Sequence, residues 1–289
     1  EDYTKSGGTA QVFFGWRIDR DSGEVEDGEI PTVAIKNFYI DDESLDFTMF
    51  QREVDALRKL NGHPNVVSLI DYGFDTVDRT FFIVTEYMQF SLADILSIGR
   101  GDTITYLGEK ISGVEEEDKS QTSPEENWKE VADLLEQILL GLVHSLKNGI
   151  YHRDLKPGNI LCAISDTDDI KVKLCDFGIA TKAQRKSGEK TVSFIGTETY
   201  TPPYHKNNLK YPGARDVYSW GVIAIEALSE QHLEDRQAVE TALENEVKPY
   251  FPVPIGTLLQ KCISVDPSKR PKNAKSVLKK ISELNTAIN

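Results

Sequence analysis

The sequence predicts an α+β fold of two lobes, a small β-rich one followed by a larger helical one, and three observations carry that expectation. Apolar runs of strand length fill much of about the first ninety residues. A single helical stripe, from Phe47 to Leu60, interrupts them. Beyond residue 127 the apolar residues recur at helical spacing, over Trp128–Lys147 and again over Asp216–Glu230. At 289 residues with 39% hydrophobic side chains, the chain is long enough for one large domain or two lobes with a substantial core.

Taken in order, QVFFGWRID (Gln11–Asp19) and PTVAIKNFYI (Pro31–Ile40) read as strands joined by the polar, Gly-containing stretch RDSGEVEDGEI. Alternation along the second strand places Ala34, Lys36 and Phe38 on one face and Val33, Ile35 and Tyr39 on the other. Only a few residues precede Gly7, so the natural protein is expected to extend beyond this end. In the helix that follows, Phe47, Phe50, Val54, Leu57 and Leu60 recur at steps of three and four, with Glu53 on the margin of the stripe. A carboxylate aimed partly inward there calls for a lysine partner; an ordinary solvent-facing glutamate is the alternative. HPNVVSLIDYG (His63–Gly73) and RTFFIVTEYM (Arg79–Met88) add two more runs, and a sheet of about five strands results.

Residues 99–127 break the pattern with an acidic, Ser/Thr-rich and Gly-containing composition and read as an insertion. A solvated loop is weighed there against a docking surface for a basic partner. WKEVADLLEQILLGLVHSLK (Trp128–Lys147) is an amphipathic helix with Val131, Leu134, Leu135, Ile138, Leu142 and Val143 as its apolar face. DVYSWGVIAIEALSE (Asp216–Glu230) is apolar almost all round, as a helix at the centre of a lobe should be, and is too short to cross a bilayer.

Lys and Arg total 33 against 47 Asp and Glu, a formal charge of -14, which argues against nucleic acid as a partner. No apolar run approaches the roughly 20 residues that a membrane span needs, and the acidic EDYTKSGG start is neither signal nor transit peptide; an intracellular, cytoplasmic location is expected. Cys162, Cys175 and Cys262 are odd in number and widely spaced, and read as core thiols rather than a disulfide framework or zinc site.

The chemistry concentrates in IYHRDLKPGNIL (Ile150–Leu161) and LCDFGIA (Leu174–Ala180). Phosphoryl transfer from ATP needs a carboxylate beside the attacking hydroxyl, a cation on the phosphates and oxygen ligands for magnesium. Asp154, Lys156, Asn159 and Asp176 make up that set, although any one of them alone would be an ordinary loop residue. These strings resemble the catalytic-loop and metal-loop signatures of eukaryotic-type Ser/Thr protein kinases.

The resemblance covers nearly the whole chain outside the insertion and implies a bilobal kinase fold, with the smaller lobe over residues 1–88 and the larger over 89–289. It implies ATP and Mg2+ as cofactors and a protein hydroxyl as acceptor. Asp154 would take or orient the hydroxyl proton, and Lys156 would steady the phosphoryl group, a lysine at that place being the Ser/Thr rather than the Tyr pattern. Asn159 and Asp176 would hold the metal ions. Lys36, paired with Glu53, would hold the α and β phosphates. Gly7, Gly8, Val12, Ala34 and Leu161 would line the nucleotide site; Thr85 would control access behind it, and Glu86 and Met88 would present backbone groups to adenine. Leu57, Leu69, His152 and Phe177 would stack into a spine anchored by Asp216. Arg153 would receive an activating phosphate, with Ser193 as first candidate and Thr191 as second, and Thr197 would bridge Asp154 and Lys156.

Two departures accompany the resemblance. Lys5, Gly7 and Ala10 stand where the glycine-rich loop has three glycines, and Tyr204 replaces the acid that pairs with a buried arginine, here Arg270. A pseudokinase serving as a binding scaffold is therefore the alternative function, and a small-molecule kinase on a related fold the third.

Overall fold

The computed structural model describes residues 4–7, 10–17, 31–39, 43–97, 124–164, 170–177, 198–203 and 210–288. The first lobe's strands are β1 (Thr4–Gly7), β2 (Ala10–Gly15), β3 (Val33–Tyr39), β4 (Leu69–Asp75) and β5 (Thr80–Glu86), and all but the polar β1 coincide with apolar runs. They pair antiparallel in a five-stranded sheet of order β1-β2-β3-β5-β4, with β2 and β5 flanking β3. The register sets Lys36 opposite Val12 and Ile83, and Ala34 opposite Phe14 and Thr85. Directly opposed residues share a face, so Val12, Ala34, Lys36 and Thr85 lie on the same side of the sheet.

Helix α1 (Glu43–Leu60) begins four residues before the apolar stripe. It buries Phe50, Val54, Leu57 and Leu60, whereas Phe47, counted in the stripe, is 44% exposed at its margin. The Phe47 ring leans on Phe81 at 5.4 Å between centroids, and Phe81 stacks on Phe50 at 4.9 Å. The strand expected from His63 starts only at Leu69. Residues 63–68 spend their backbone elsewhere: Val66 N–H donates to His63 O, Val67 N–H donates to Leu174 O, and Leu174 N–H donates to Asn65 O. Pro64, lacking an N–H, suits this turn and not a strand interior.

After the sheet, Phe90–Ser91 forms the short strand β6, and Asp94 accepts from both Ser91 N–H (2.8 Å) and Ser91 Oγ (2.6 Å), capping α2 (Leu92–Ser97). Strand β6 joins β7 (Ile160–Ile164) and β8 (Ile170–Leu174) in a second, three-stranded sheet. Helix α3 (Pro124–Lys147) is four residues longer than its apolar pattern, its start at Pro124 fitting proline's preference for the first helical position. Those four residues fall inside the segment read as an insertion; the remainder of it lies outside the described residues.

The core of the helical part is α4 (Gly213–Ser229), buried without a break from Val217 to Leu228. Around it pack α3, α5 (Arg236–Ala242), the π-helical turn Leu243–Val247, α6 (Val253–Cys262) and α7 (Ala274–Ile288). Trp220, fully buried, still satisfies its indole N–H on Leu135 O at 3.2 Å. Cys162 and Cys262 are buried and Cys175 half-buried, all three as free thiols. Among the described residues no helix is long and apolar enough to cross a membrane.

Arg270 finds no acid among its hydrogen-bond partners in the described residues. Its guanidinium donates from Nε to Ser264 O (2.6 Å), from Nη1 to Ala214 O (3.0 Å) and from Nη2 to Val265 O (3.1 Å), and lies 4.9 Å from the centre of the Tyr218 ring. Three carbonyl dipoles and an aromatic face thus solvate the cation, although burial still draws its pKa down to about 10. Tyr204 lies outside the described residues.

Helix α3 approaches the 63–68 turn closely at Gly141. A Cβ added there would sit 2.6 Å from Asn65 O and 2.9 Å from Leu174 Cδ1. Gly141→Ala is therefore expected to destabilise the protein despite alanine's better helix propensity, because the backbone oxygen it strikes also accepts from Leu174 N–H. A thermal melt that stays at or above the parent midpoint would contradict this.

Candidate active site

The site is assembled where the open face of β3 meets the loops at the ends of β7 and β8. Lys36 reaches from β3 to α1, its Nζ 3.1 Å and 2.9 Å from the two oxygens of Glu53. The same ammonium lies 3.1 Å from Asp176 Oδ1, 140 positions further along the chain. Burial works against the charge on Lys36, but the Glu53 and Asp176 carboxylates beside it hold its pKa above the ordinary lysine value. Lys36 in turn holds the Asp176 carboxyl below the usual carboxylate range. Glu53 is 4% exposed, so the inward reading of this helix-edge residue is the one the structure shows.

The second half is the loop Tyr151–Lys156 with the 3-10 turn Pro157–Asn159. Asp154 Oδ2 accepts from Lys156 Nζ at 3.0 Å and from Asn159 Nδ2 at 3.1 Å, and Asn159 Nδ2 also donates to Asp154 O at 2.8 Å. Asn159 thereby spends its amide nitrogen on Asp154. The two motifs are tied through Cys175, whose N–H donates to Asn159 O (3.1 Å) and whose carbonyl meets His152 Nε2 at 3.0 Å. Both backbone groups immediately before Asp176 are thus held by the other loop.

Two non-glycine residues here adopt left-handed backbone, Arg153 (φ 67°) and Asp176 (φ 58°). Such positions cost on the order of 1–3 kcal/mol and persist only where surrounding bonds overdetermine them. For Arg153 those bonds come from Asp216, a buried side chain at the start of α4, which accepts from His152 N–H (3.1 Å) and Arg153 N–H (2.8 Å). Arg215 Nε adds a bond to Arg153 O at 3.0 Å. His152 is fully buried with its ring 4.7 Å from Phe177, a packed residue as expected, and Leu57 and Phe177 share its core while Leu69 packs against it.

Val12, Ala34 and Thr85 are half-buried on the sheet face that carries Lys36; Leu161 is half-buried on β7 and Met88 is buried. Gly7 ends β1, paired with Ala10, and Lys5 is paired with Val12. Glu86 is more heavily committed than the sequence suggested: its amide donates to Ser68 O (3.1 Å), and its Oε1 accepts from Ser68 N–H (2.7 Å) and Lys173 Nζ (2.7 Å). Burial pushes its carboxyl up, but the Lys173 and Ser68 bonds prevail and hold it below its ordinary value. Gly8, Thr191, Ser193 and Thr197 lie outside the described residues.

Sequence reasoning missed Asn65, Gln137 and Lys173. Gln137 uses its whole amide, donating to Asp133 Oδ2 (2.7 Å) and Ile170 O (2.8 Å) and accepting from Val172 N–H (2.9 Å) and Asn65 Nδ2 (3.2 Å). Asn65 Nδ2 further donates to Val172 O at 3.0 Å. Together they fasten α3, the 63–68 turn and β8, the strand that delivers Asp176. A glutamine beside Ile138 on an otherwise apolar helix face was the available signal.

The family model of the protein kinase domain matches residues 23–281. This chain belongs to the protein kinase domain family. The bilobal α+β architecture is that of the family, its sheet preceding its helices. The chain is 30% identical over 245 residues to the interferon-induced, double-stranded RNA-activated protein kinase of Rattus norvegicus, covering 81% of this chain and 44% of that one. It is 28% identical over 281 residues to the serine/threonine-protein kinase PrkC of Bacillus subtilis, covering 94% and 38%. A serine/threonine-protein kinase of Corynebacterium efficiens is 28% identical over 257 residues, covering 85% and 44%. The chain spans between 21% and 52% of the length of such curated relatives.

Proposed function

We propose that this kinase domain transfers the γ-phosphoryl group of ATP to serine or threonine hydroxyls of proteins. The observation that carries the reading is the meeting of Lys36, Glu53 and Asp176 in one ion cluster, joined through Cys175 and Asn159 to the Asp154–Lys156 pair. A carboxylate and an amide oxygen are hard donors of the kind Mg2+ takes, so Asp176 and Asn159 fit as its ligands, and the metal would supply neutralisation of charge on the phosphate oxygens. Lys36, held charged by two carboxylates, would bind phosphate oxygens. Val12, Ala34, Thr85, Met88 and Leu161 would enclose the base, with Gly7 and Gly8 near the phosphates.

Asp154 would orient the acceptor hydroxyl and take its proton, while Lys156, 3.0 Å from it, would bring positive charge to the transferred group. The serine/threonine-protein kinase names of the Bacillus subtilis and Corynebacterium efficiens relatives support the same class of acceptor. With Lys36, Glu53, Asp154, Asn159 and Asp176 all assembled, no observation favours a scaffold that has lost catalysis.

The test incubates the protein with magnesium, labelled ATP and a generic basic protein substrate beside Asp154→Asn. The substitution is expected to lower transfer by about a hundred to ten thousand fold, the usual contribution of a positioned base. Equal labelling by both proteins, or none by the parent, would overturn the proposal.

A further inference from the structure

Two imidazoles from distant parts of the chain stack on one another where the 63–68 turn meets α3. His63 follows α1 and His144 lies near the end of α3; their ring centroids are 4.3 Å apart and their planes 25° from parallel. The surroundings of His63 disfavour its protonation. His63 Nδ1 accepts the N–H of Asn65 at 3.1 Å, which a protonated Nδ1 cannot do. In the facing ring, His144 Nε2 is buried with no hydrogen-bond partner. The groups whose electrostatics act on His63 are basic ones, namely His144 and Lys147 from α3 and Lys173 from β8. The ammonium of Lys173 is itself taken by Glu86 of β5. Burial first, and then these neighbours, hold His63 below the ordinary histidine pKa.

What the stack supports is the same turn that fastens β8. Asn65 O accepts from Leu174 N–H at 3.0 Å, Asn65 Nδ2 donates to Val172 O at 3.0 Å, and Val67 N–H donates to Leu174 O at 3.0 Å. Leu174 lies two residues before Asp176. We propose that the His63–His144 stack is an acid-sensitive latch on the active site: protonation separates the rings, releases the Asn65 amide and loosens the backbone that carries Asp176.

The sign follows from the direction of the shift. The unfolded chain takes up the proton on His63 first as pH falls, so stability declines from about pH 6.5 downward and levels off once the folded-state pKa is passed. Acid therefore weakens the latch, and neutral pH closes it.

Because the effect on catalysis rests on the proposed activity, the experiment has two readouts. Amide hydrogen exchange at Leu174 and Asn65, corrected for intrinsic rates, is followed between pH 5.5 and 7.5 in the parent, in His144→Phe and in His63→Asn. The phosphorylation rate is measured over the same range. The phenylalanine keeps a ring in the stack without the electrostatics of His144, and the asparagine keeps an acceptor for the Asn65 amide. In the parent, protection at Leu174 is expected to fall toward pH 5.5; His63→Asn is expected to move that fall, and the acid limb of the rate, down by about one pH unit or more, and His144→Phe, which removes a neighbour that holds the His63 pKa down, to move it up. Protection that is independent of pH in the parent, or that falls identically in all three proteins, overturns the latch, whether or not the protein phosphorylates anything. A protein that shows the exchange shift but no transfer overturns the proposed activity and leaves the latch standing.

Discussion

Lys36→Met is expected to lower turnover by about a hundred to a thousand fold, the usual cost of removing one fixed charge aimed at a transferring group. Lys36 is the one cation hydrogen-bonded to both Glu53 and Asp176 among the described residues. Removing it leaves two carboxylates facing each other in a largely buried space, and takes from Asp176 the principal influence that keeps its pKa low. Both consequences weaken the donor set that would bind magnesium, so the apparent requirement for Mg2+ should rise as the rate falls. Glu53→Gln keeps the bond between Lys36 and Asp176 and should therefore cost less than Lys36→Met. Initial rates at saturating ATP over a magnesium titration read both effects, and a Lys36→Met protein within about tenfold of the parent would contradict the assignment.

Arg270→Leu is expected to cost stability rather than chemistry. The leucine would leave the carbonyls of Ser264, Ala214 and Val265 without their shared donor, and the Tyr218 ring without its cation. An unsatisfied buried acceptor costs about 1–3 kcal/mol, and relief from burying the guanidinium offsets part of the total. A net loss of about 3 kcal/mol, and a melting temperature lower by about 6 to 12 °C, is the expected result. Arg270→Lys should recover only part of it, because one ammonium cannot reproduce the planar fork that serves three carbonyls. A melt unchanged by Arg270→Leu would show that the arginine is incidental.

The candidate catalytic set was legible as a cluster because it is written in two short strings whose spacing constrains geometry locally. Asp154, Lys156 and Asn159 lie within six positions, and a single turn brings their side chains together. The faces of β3 were legible for the same reason, since alternation is a local property. Glu53 was balanced between solvent and Lys36, because helical periodicity places a residue on a margin without saying what packs above it; β3 and Asp176 decide that. The run from His63 to Gly73 was misread in its first half, because Asn65 and Val67 pair with Leu174, and no local pattern reports a partner more than a hundred positions away.

The sequence by itself determined the family, the order of strands before helices and the identity of the polar groups that meet at the candidate site. Tertiary structure alone decided how Arg270 survives without an acidic partner, that Gln137 and Asn65 hold β8, and that His63 stacks on His144. The division has a physical basis. Periodicity and loop chemistry are set by neighbours along the chain, whereas the partner of a buried donor is whichever acceptor the folded backbone brings within reach. For Asn65 that acceptor is 107 positions away, at Val172.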